Sequence, residues 1–161
     1  MSKSVGDALP GTLFERLTGG NLEAVADRVI VVCTSDDGGF PHPALLSYFE
    51  VVAVDRRTLR LAMYADSRST RNATREGRLT LILVDAEFVY YVKGVVQELS
   101  HSMRSTPYNA KLNLRVSEVL QDEPDPAHEP GAYIAAGIRY VNPGRSAELD
   151  RARRVLAELR E

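Results

Sequence analysis

Two hydrophobic periods succeed one another along this chain, and the change between them is sharpest in the middle. Residues 59–64 place Leu59, Leu61 and Met63 on one side and Arg60, Ala62 and Tyr64 on the other, the pattern of a half-buried strand. From Ser67 the sequence turns to hydroxyls and arginines and ends at Gly77, which predicts a short helix whose first turn holds Ser67, Ser69 and Thr70. Upstream, the β-branched run at 29–34 predicts a buried strand, and Asp36-Asp37-Gly38-Gly39 a turn. Residues 42–54 read as one long second strand with Leu45, Ser47, Phe49, Val51 and Ala53 on one face. Pro41 and Pro43 confine its start to an edge or a bulge. With 55–57 as a turn, three strands arrive as an antiparallel meander.

Downstream, 79–84 and 88–99 are apolar strands joined by a tight link at 85–87. Gly94 marks a bulge or a close backbone approach in the second. A polar loop at 100–109 leads to alternation over 111–120, an exposed acidic and proline-containing loop at 121–131, and a last short strand around Tyr133, Ile138 and Tyr140. Helices flank the strands. Residues 9–27 hold two short ones, the first with Thr12 and Glu15 at capping-box spacing and the second capped by Asn21, after a frayed segment 1–9. Residues 146–160 form a terminal helix with Leu149, Ala152, Leu156 and Leu159 on its apolar side. The expectation is a single β-rich (α+β) domain over 1–161, with about six antiparallel strands whose edges are managed by curling into a barrel.

Composition narrows the class. With 44% hydrophobic and 26% charged residues, the chain is an ordinary globular sequence. A net charge of −2 implies no general affinity for nucleic acid, and no stretch has the length of a membrane span. The first nine residues lack an apolar export signal, and the single cysteine, Cys33, fits a reducing cytoplasm and reads as buried packing.

The strand running into a hydroxyl-rich helix start is the strongest chemical signal. Unpaired N–H groups and the helix dipole favour a phosphate there, and Arg68, Arg71, Arg75 and Arg78, at offsets of three, seven and ten, form a basic stripe. The same residue types also serve as ordinary caps and as a solvated face. His42, His101 and His128 are scattered, which predicts no metal site. No P-loop or nucleophile elbow occurs, and Ser47 has no histidine nearby in sequence to activate it. Tyr48, Tyr64, Tyr90 and Tyr91 read as packing residues.

The order of these elements resembles the FMN-binding split barrel of the pyridoxamine 5′-phosphate oxidase-like superfamily. Ala44-Leu45-Leu46, the 59–64 strand, Ser67-Arg68-Ser69 at the place of a Ser-Arg-Lys phosphate motif, and the glycine-containing 93–100 segment ending in Leu99-Ser100 carry the resemblance over 29–119. It implies a six-stranded antiparallel split β-barrel with flanking helices. It also implies an FMN phosphate on Ser67, Arg68, Ser69 and Thr70, backbone contacts to the ring from Met63 and Tyr64, and Ala44, Leu45, Leu46 and Ser47 lining the ring and ribityl chain. A homodimer with flavin at the interface and an oxidoreductase acting on a small-molecule substrate follow from it, with catalytic residues undefined. F420 in place of FMN, or flavin binding without turnover, are the alternatives. Ser69 replaces the motif's lysine, and the terminal helix lacks the Trp- and Arg-containing ending of the vitamin oxidases, so the superfamily fits better than pyridoxamine 5′-phosphate oxidation itself.

Overall fold

The computed structural model describes residues 1–86 and 88–161; Glu87, the last residue of the predicted link at 85–87, lies outside the described residues. Among the described residues there are eight strands: β1 (Ser2–Gly6), β2 (Val29–Ser35), β3 (Pro41–Ser47), β4 (Val51–Asp55), β5 (Thr58–Tyr64), β6 (Arg78–Val84), β7 (Val89–Ser100) and β8 (Asn109–Asp122). The helices are α1 (Gly11–Arg16), α2 (Arg68–Glu76) and α3 (Leu149–Arg160). All strand pairs are antiparallel, in the order β3-β2-β6-β7-β8-β5-β4, with β1 also on β8. The sheet is open: β3 and β4, neighbours in sequence, are its two ends.

Eight strands stand where six are expected, for two physical reasons. The predicted 42–54 strand is broken by a short 3-10 turn, Tyr48–Glu50, into β3 and β4. The predicted frayed segment is β1, because β8 is longer than its partner β5. The β5 ladder covers β8 from Asn109 to Arg115, and β1 takes the remaining edge from Val119 to Asp122. The meander expectation fails at the same break, since β3 pairs with β2 while β4 pairs with β5. The strand expected around Tyr133 is an irregular segment held by a single bridge between Arg28 and Arg139. Pro41 and Pro43 sit on an edge strand, as proline requires. Gly94 is both a register shift and a close approach: a Cβ there would lie 2.6 Å from the Arg115 carbonyl oxygen.

Alternation on β5 builds two cores. Leu59, Leu61 and Met63 enter the main core with residues of β2, β6, β7 and β8. Ala62, on the opposite face, enters a smaller core of Leu22, Phe49, Val52, Met103, Ala152, Val155, Leu156 and Leu159 beneath α3. The small side chain at Ala62 lets α3 lie close to the sheet. Leu149 is only half buried there, and Val155 takes a buried place that the predicted apolar side omitted. Cys33 is half exposed, which corrects its reading as buried packing: on β2 it alternates with buried Val32 and Thr34. At the front of the chain the predicted Thr12 cap is absent, α1 having no side-chain cap, whereas Asn21 Oδ1 does accept from Ala24 N–H at 3.4 Å.

Asp85, at the end of β6, ties α1 and the start of β2 to the sheet. It is buried and accepts from Arg16, from Arg28 at 2.7 Å and from Ala86 N–H at 2.8 Å. Burial pushes its carboxyl up, but these donors together outweigh burial and hold it below the ordinary carboxylate range. Nearby, burial pushes the Tyr48 phenol up to about 12, so it stays neutral.

Two outcomes follow. Leu156, fully buried between α3 and the sheet, should cost about 2–5 kcal/mol when truncated to alanine, read from urea unfolding midpoints. A carboxylate held below its unfolded value stabilises the fold fully above about pH 4 and loses that contribution as pH falls through the lower folded value. Urea melts at neutral and acid pH should therefore show a steeper acid loss in wild type than in Asp85→Asn, which is already destabilised at neutral pH.

Candidate functional site

The break between β3 and β4 is made by side chains. Ser47 Oγ accepts from Phe49 N–H at 3.1 Å, and Glu50 Oε2 accepts from Ser47 N–H at 2.7 Å, a complete capping box. It turns the chain through a right-handed 3-10 turn at the point where a continued strand would have paired on. The edge of β3 and the end of β5 are thus left facing a cleft.

Strand alternation decides which predicted residues face it. Leu45 is 54% exposed and lines the cleft, together with Leu46 and Ser47. Ala44 packs against the main core and Met63 lies within it, so the side chains of these two point away from the cleft. Tyr64, at the end of β5, is 63% exposed and lies 5.7 Å from Tyr108, ring centre to ring centre, at an angle of 42°. Tyr64 borders both the cleft and a second hollow that is also lined by Ser67, so it joins the two halves of the predicted site.

At the start of α2 the structure separates the four predicted phosphate residues. Ser67 is the N-cap, accepting from Thr70 N–H at 3.1 Å, and its hydroxyl donates to Thr70 Oγ1 at 3.0 Å. Thr70 Oγ1 donates in turn to the Tyr64 carbonyl at 2.8 Å. Both hydroxyl protons are therefore committed within the chain, and Ser69 and Thr70 are buried. The donors left for a ligand are the first-turn N–H groups of Arg68 and Ser69, which have no helical acceptor, and the Arg68 guanidinium. Arg68 is exposed and makes no hydrogen bond or ion pair among the described residues. The other arginines of the stripe are engaged: Arg71 donates to the Asp66 carbonyl, Arg75 pairs with Asp37 and Glu76, and Arg78 lies 3.7 Å from Glu76. Gly77 ends the helix in the left-handed conformation, φ 65°, as its position predicts.

The cleft encloses about 350 Å³. Its polar lining comes mostly from residues that sequence reasoning did not single out. Glu50 lines it from the 3-10 turn after β3 and Asn109 from the start of β8, and Arg145, Glu148 and Arg151 from the turn before α3 and its first residues. Arg145 stacks over Phe49 at 5.2 Å and pairs with Glu148 at 3.0 Å; Arg151 pairs with the same carboxylate at 2.7 Å. Burial raises the Glu50 carboxyl, against the Ser47 N–H and the Arg145 charge, which lower it. Two sequence signals mark these residues: the Ser-x-x-Glu capping spacing at 47–50, and the i, i+3, i+6 spacing of Arg145, Glu148 and Arg151 on one helical side. The three histidines are dispersed: His42 is on β3, His101 lies 3.4 Å from Glu98, and His128 contacts Asp125 at 2.6 Å.

No protein-family model matches the chain. It is 24% identical over 148 residues to YclD, an uncharacterised protein of Bacillus subtilis, covering 92% of this chain and 93% of that one. A candidate pyridoxamine 5′-phosphate oxidase from Lactobacillus delbrueckii superposes with a TM-score of 0.56 at 16% identity, over 73% of this chain and 98% of the other. An FMN-binding protein from Syntrophomonas wolfei does so with a TM-score of 0.52 at 12% identity, over 69% and 88% respectively. The antiparallel, β-rich fold of the chain is thus similar to that of pyridoxamine 5′-phosphate oxidase-like and FMN-binding proteins.

Proposed function

We propose that this chain binds FMN and is a flavin-dependent oxidoreductase acting on a small molecule. The observation that carries the reading is Arg68: an exposed guanidinium without a partner among the described residues, at the first turn of a nine-residue helix. The donor set fits a phosphate. One cation, two backbone N–H groups and the positive end of the α2 dipole converge where the motif expects them. Ser69 in place of lysine removes a second cation, and its burial keeps that position from contributing a side-chain donor. From the phosphate, Tyr64 and Tyr108 offer an exposed aromatic border toward Leu45 and the cleft, where either ring can meet a flavin ring. The flavin supplies the redox chemistry when bound, and the chain supplies anchoring, orientation and the pocket for the second reactant. No catalytic side chain is assigned.

The same reading includes a twofold homodimer. Phe40, Leu45, Tyr64, Val95 and Tyr108 are large apolar or aromatic side chains left more than half exposed, and a second copy would cover such surface with an interface above about 1,000 Å². Light scattering at micromolar concentration should return the dimer mass; a monomer mass contradicts this part of the reading.

Fluorescence quenching tests the anchor. A charged hydrogen bond contributes about 1.5–3 kcal/mol, so Arg68→Ala should weaken FMN binding roughly tenfold to a hundredfold. Arg78→Ala, on a residue beyond the helix end that already lies near Glu76, should leave affinity close to wild type. Equal affinity for wild type and Arg68→Ala moves the phosphate elsewhere.

A further inference from the structure

The inner part of the cleft holds polar groups that anchoring a flavin at α2 leaves unused. Asn109 is 3% exposed; its Nδ2 donates to Thr106 Oγ1 at 3.3 Å, while its Oδ1 accepts no hydrogen bond among the described residues. Arg145 gives Nη1 to Glu148 and its plane to Phe49, yet its Nε–H is buried without an acceptor among the described residues. Glu50 gives one oxygen to Ser47 N–H and accepts nothing on the other among the described residues. Buried donors and acceptors are ordinarily paired, because water has been stripped from them. Two buried atoms without a partner among the described residues, Asn109 Oδ1 and Arg145 Nε, and the second Glu50 oxygen belong to residues that line one cavity of about 350 Å³, a constellation a ligand can complete.

Their chemistry specifies the ligand. Two acceptors, Asn109 Oδ1 and Glu50, stand with one donor, Arg145 Nε–H. The four charged side chains of the cleft cancel, since Glu50 and Glu148 face Arg145 and Arg151. The geometry points to a small neutral ligand that carries an N–H donor beside a carbonyl acceptor (a carboxamide, lactam or ureide), bound with its N–H toward Asn109 and Glu50 and its carbonyl toward Arg145. A carboxylate would bring only acceptors against Asn109 and Glu50. An ammonium would bring only donors and leave Arg145 unmatched. Phe49 and Leu45 supply apolar surface for a flat body. The assignment rests on the flavin reading only in naming this ligand the substrate; the binding itself does not require the cofactor.

The test uses the full chain, isotopically labelled, titrated with benzamide, benzoate and benzylamine and followed by NMR. Benzamide should shift the backbone amides of Ser47, Glu50 and Asn109 and bind at least about tenfold tighter than either charged analogue, the cost of leaving a buried polar group unmatched. Arg145→Lys, which keeps the charge and removes the Nε–H, should weaken benzamide about tenfold. Asn109→Leu should do the same, and the folded state of each variant is read from the same spectra. Equal binding of benzamide and benzoate, shifts that map away from the cleft, indifference to Arg145→Lys, or one-for-one displacement of benzamide by FMN would each overturn the assignment. If FMN fails to bind while benzamide behaves as described, the flavin reading falls and this one stands. If FMN binds and benzamide shows no selectivity, this one falls alone.

Discussion

The capping box at Ser47 and Glu50 is the constraint on which the rest depends. Without it, β3 and β4 would run on as one strand and the sheet would have no reason to place sequence neighbours at its two ends. Two short hydrogen bonds, one to each capping side chain, turn the chain and keep Glu50 at the edge of a cleft instead of in a ladder. The same turn aims Phe49 away from the main core and into the smaller one under α3. The turn therefore fixes three things together: the open edge of β3, the seat of the terminal helix, and one acidic wall of the cleft.

The second determinant is the exit from β5. The Tyr64 carbonyl accepts from both Ser67 N–H and the Thr70 hydroxyl, so the end of the strand and the first turn of α2 form one rigid corner. Rigidity there has a functional consequence. The hydroxyls are consumed in holding the corner, which leaves first-turn N–H groups and the exposed Arg68 as the donors open to the anion proposed there. Hydroxyl-rich composition thus builds the site indirectly: it orients the donors and does not itself supply them.

Much of this was legible in the sequence where the local pattern decides the outcome. Alternation at 59–64, a helix starting at the 67–70 hydroxyls and the stop at Gly77 all depend on neighbours within a few residues; each is present, with Ser67 as the cap and not part of the first turn. The run at 42–54 was misread because Phe49, Val51 and Ala53 continue a strand period across a turn that only the Ser47–Glu50 pairing reveals. Strand β1 was illegible because its hydrogen bonds go to β8, more than a hundred residues away, and its exposed residues show no apolar period. Asn109 was invisible for a related reason: it belongs to no local motif and meets Arg145 only because α3 folds back over the sheet, while the helical spacing of Arg145, Glu148 and Arg151 gives no sign of what they face. Of the predicted contact residues, Ala44 was assigned by position in a motif, whereas strand alternation sends its side chain to the core; Met63, expected to act through its backbone, also has its side chain there.

We propose that the split between β3 and β5 carries an anionic flavin anchored at the first turn of α2. A crystal structure of the protein grown with FMN measures this directly. The phosphate should lie within about 3 Å of the Arg68 guanidinium and of first-turn N–H groups of α2, with the ring beside Tyr64. A phosphate bound away from α2, or a ring lying outside the split, would contradict it.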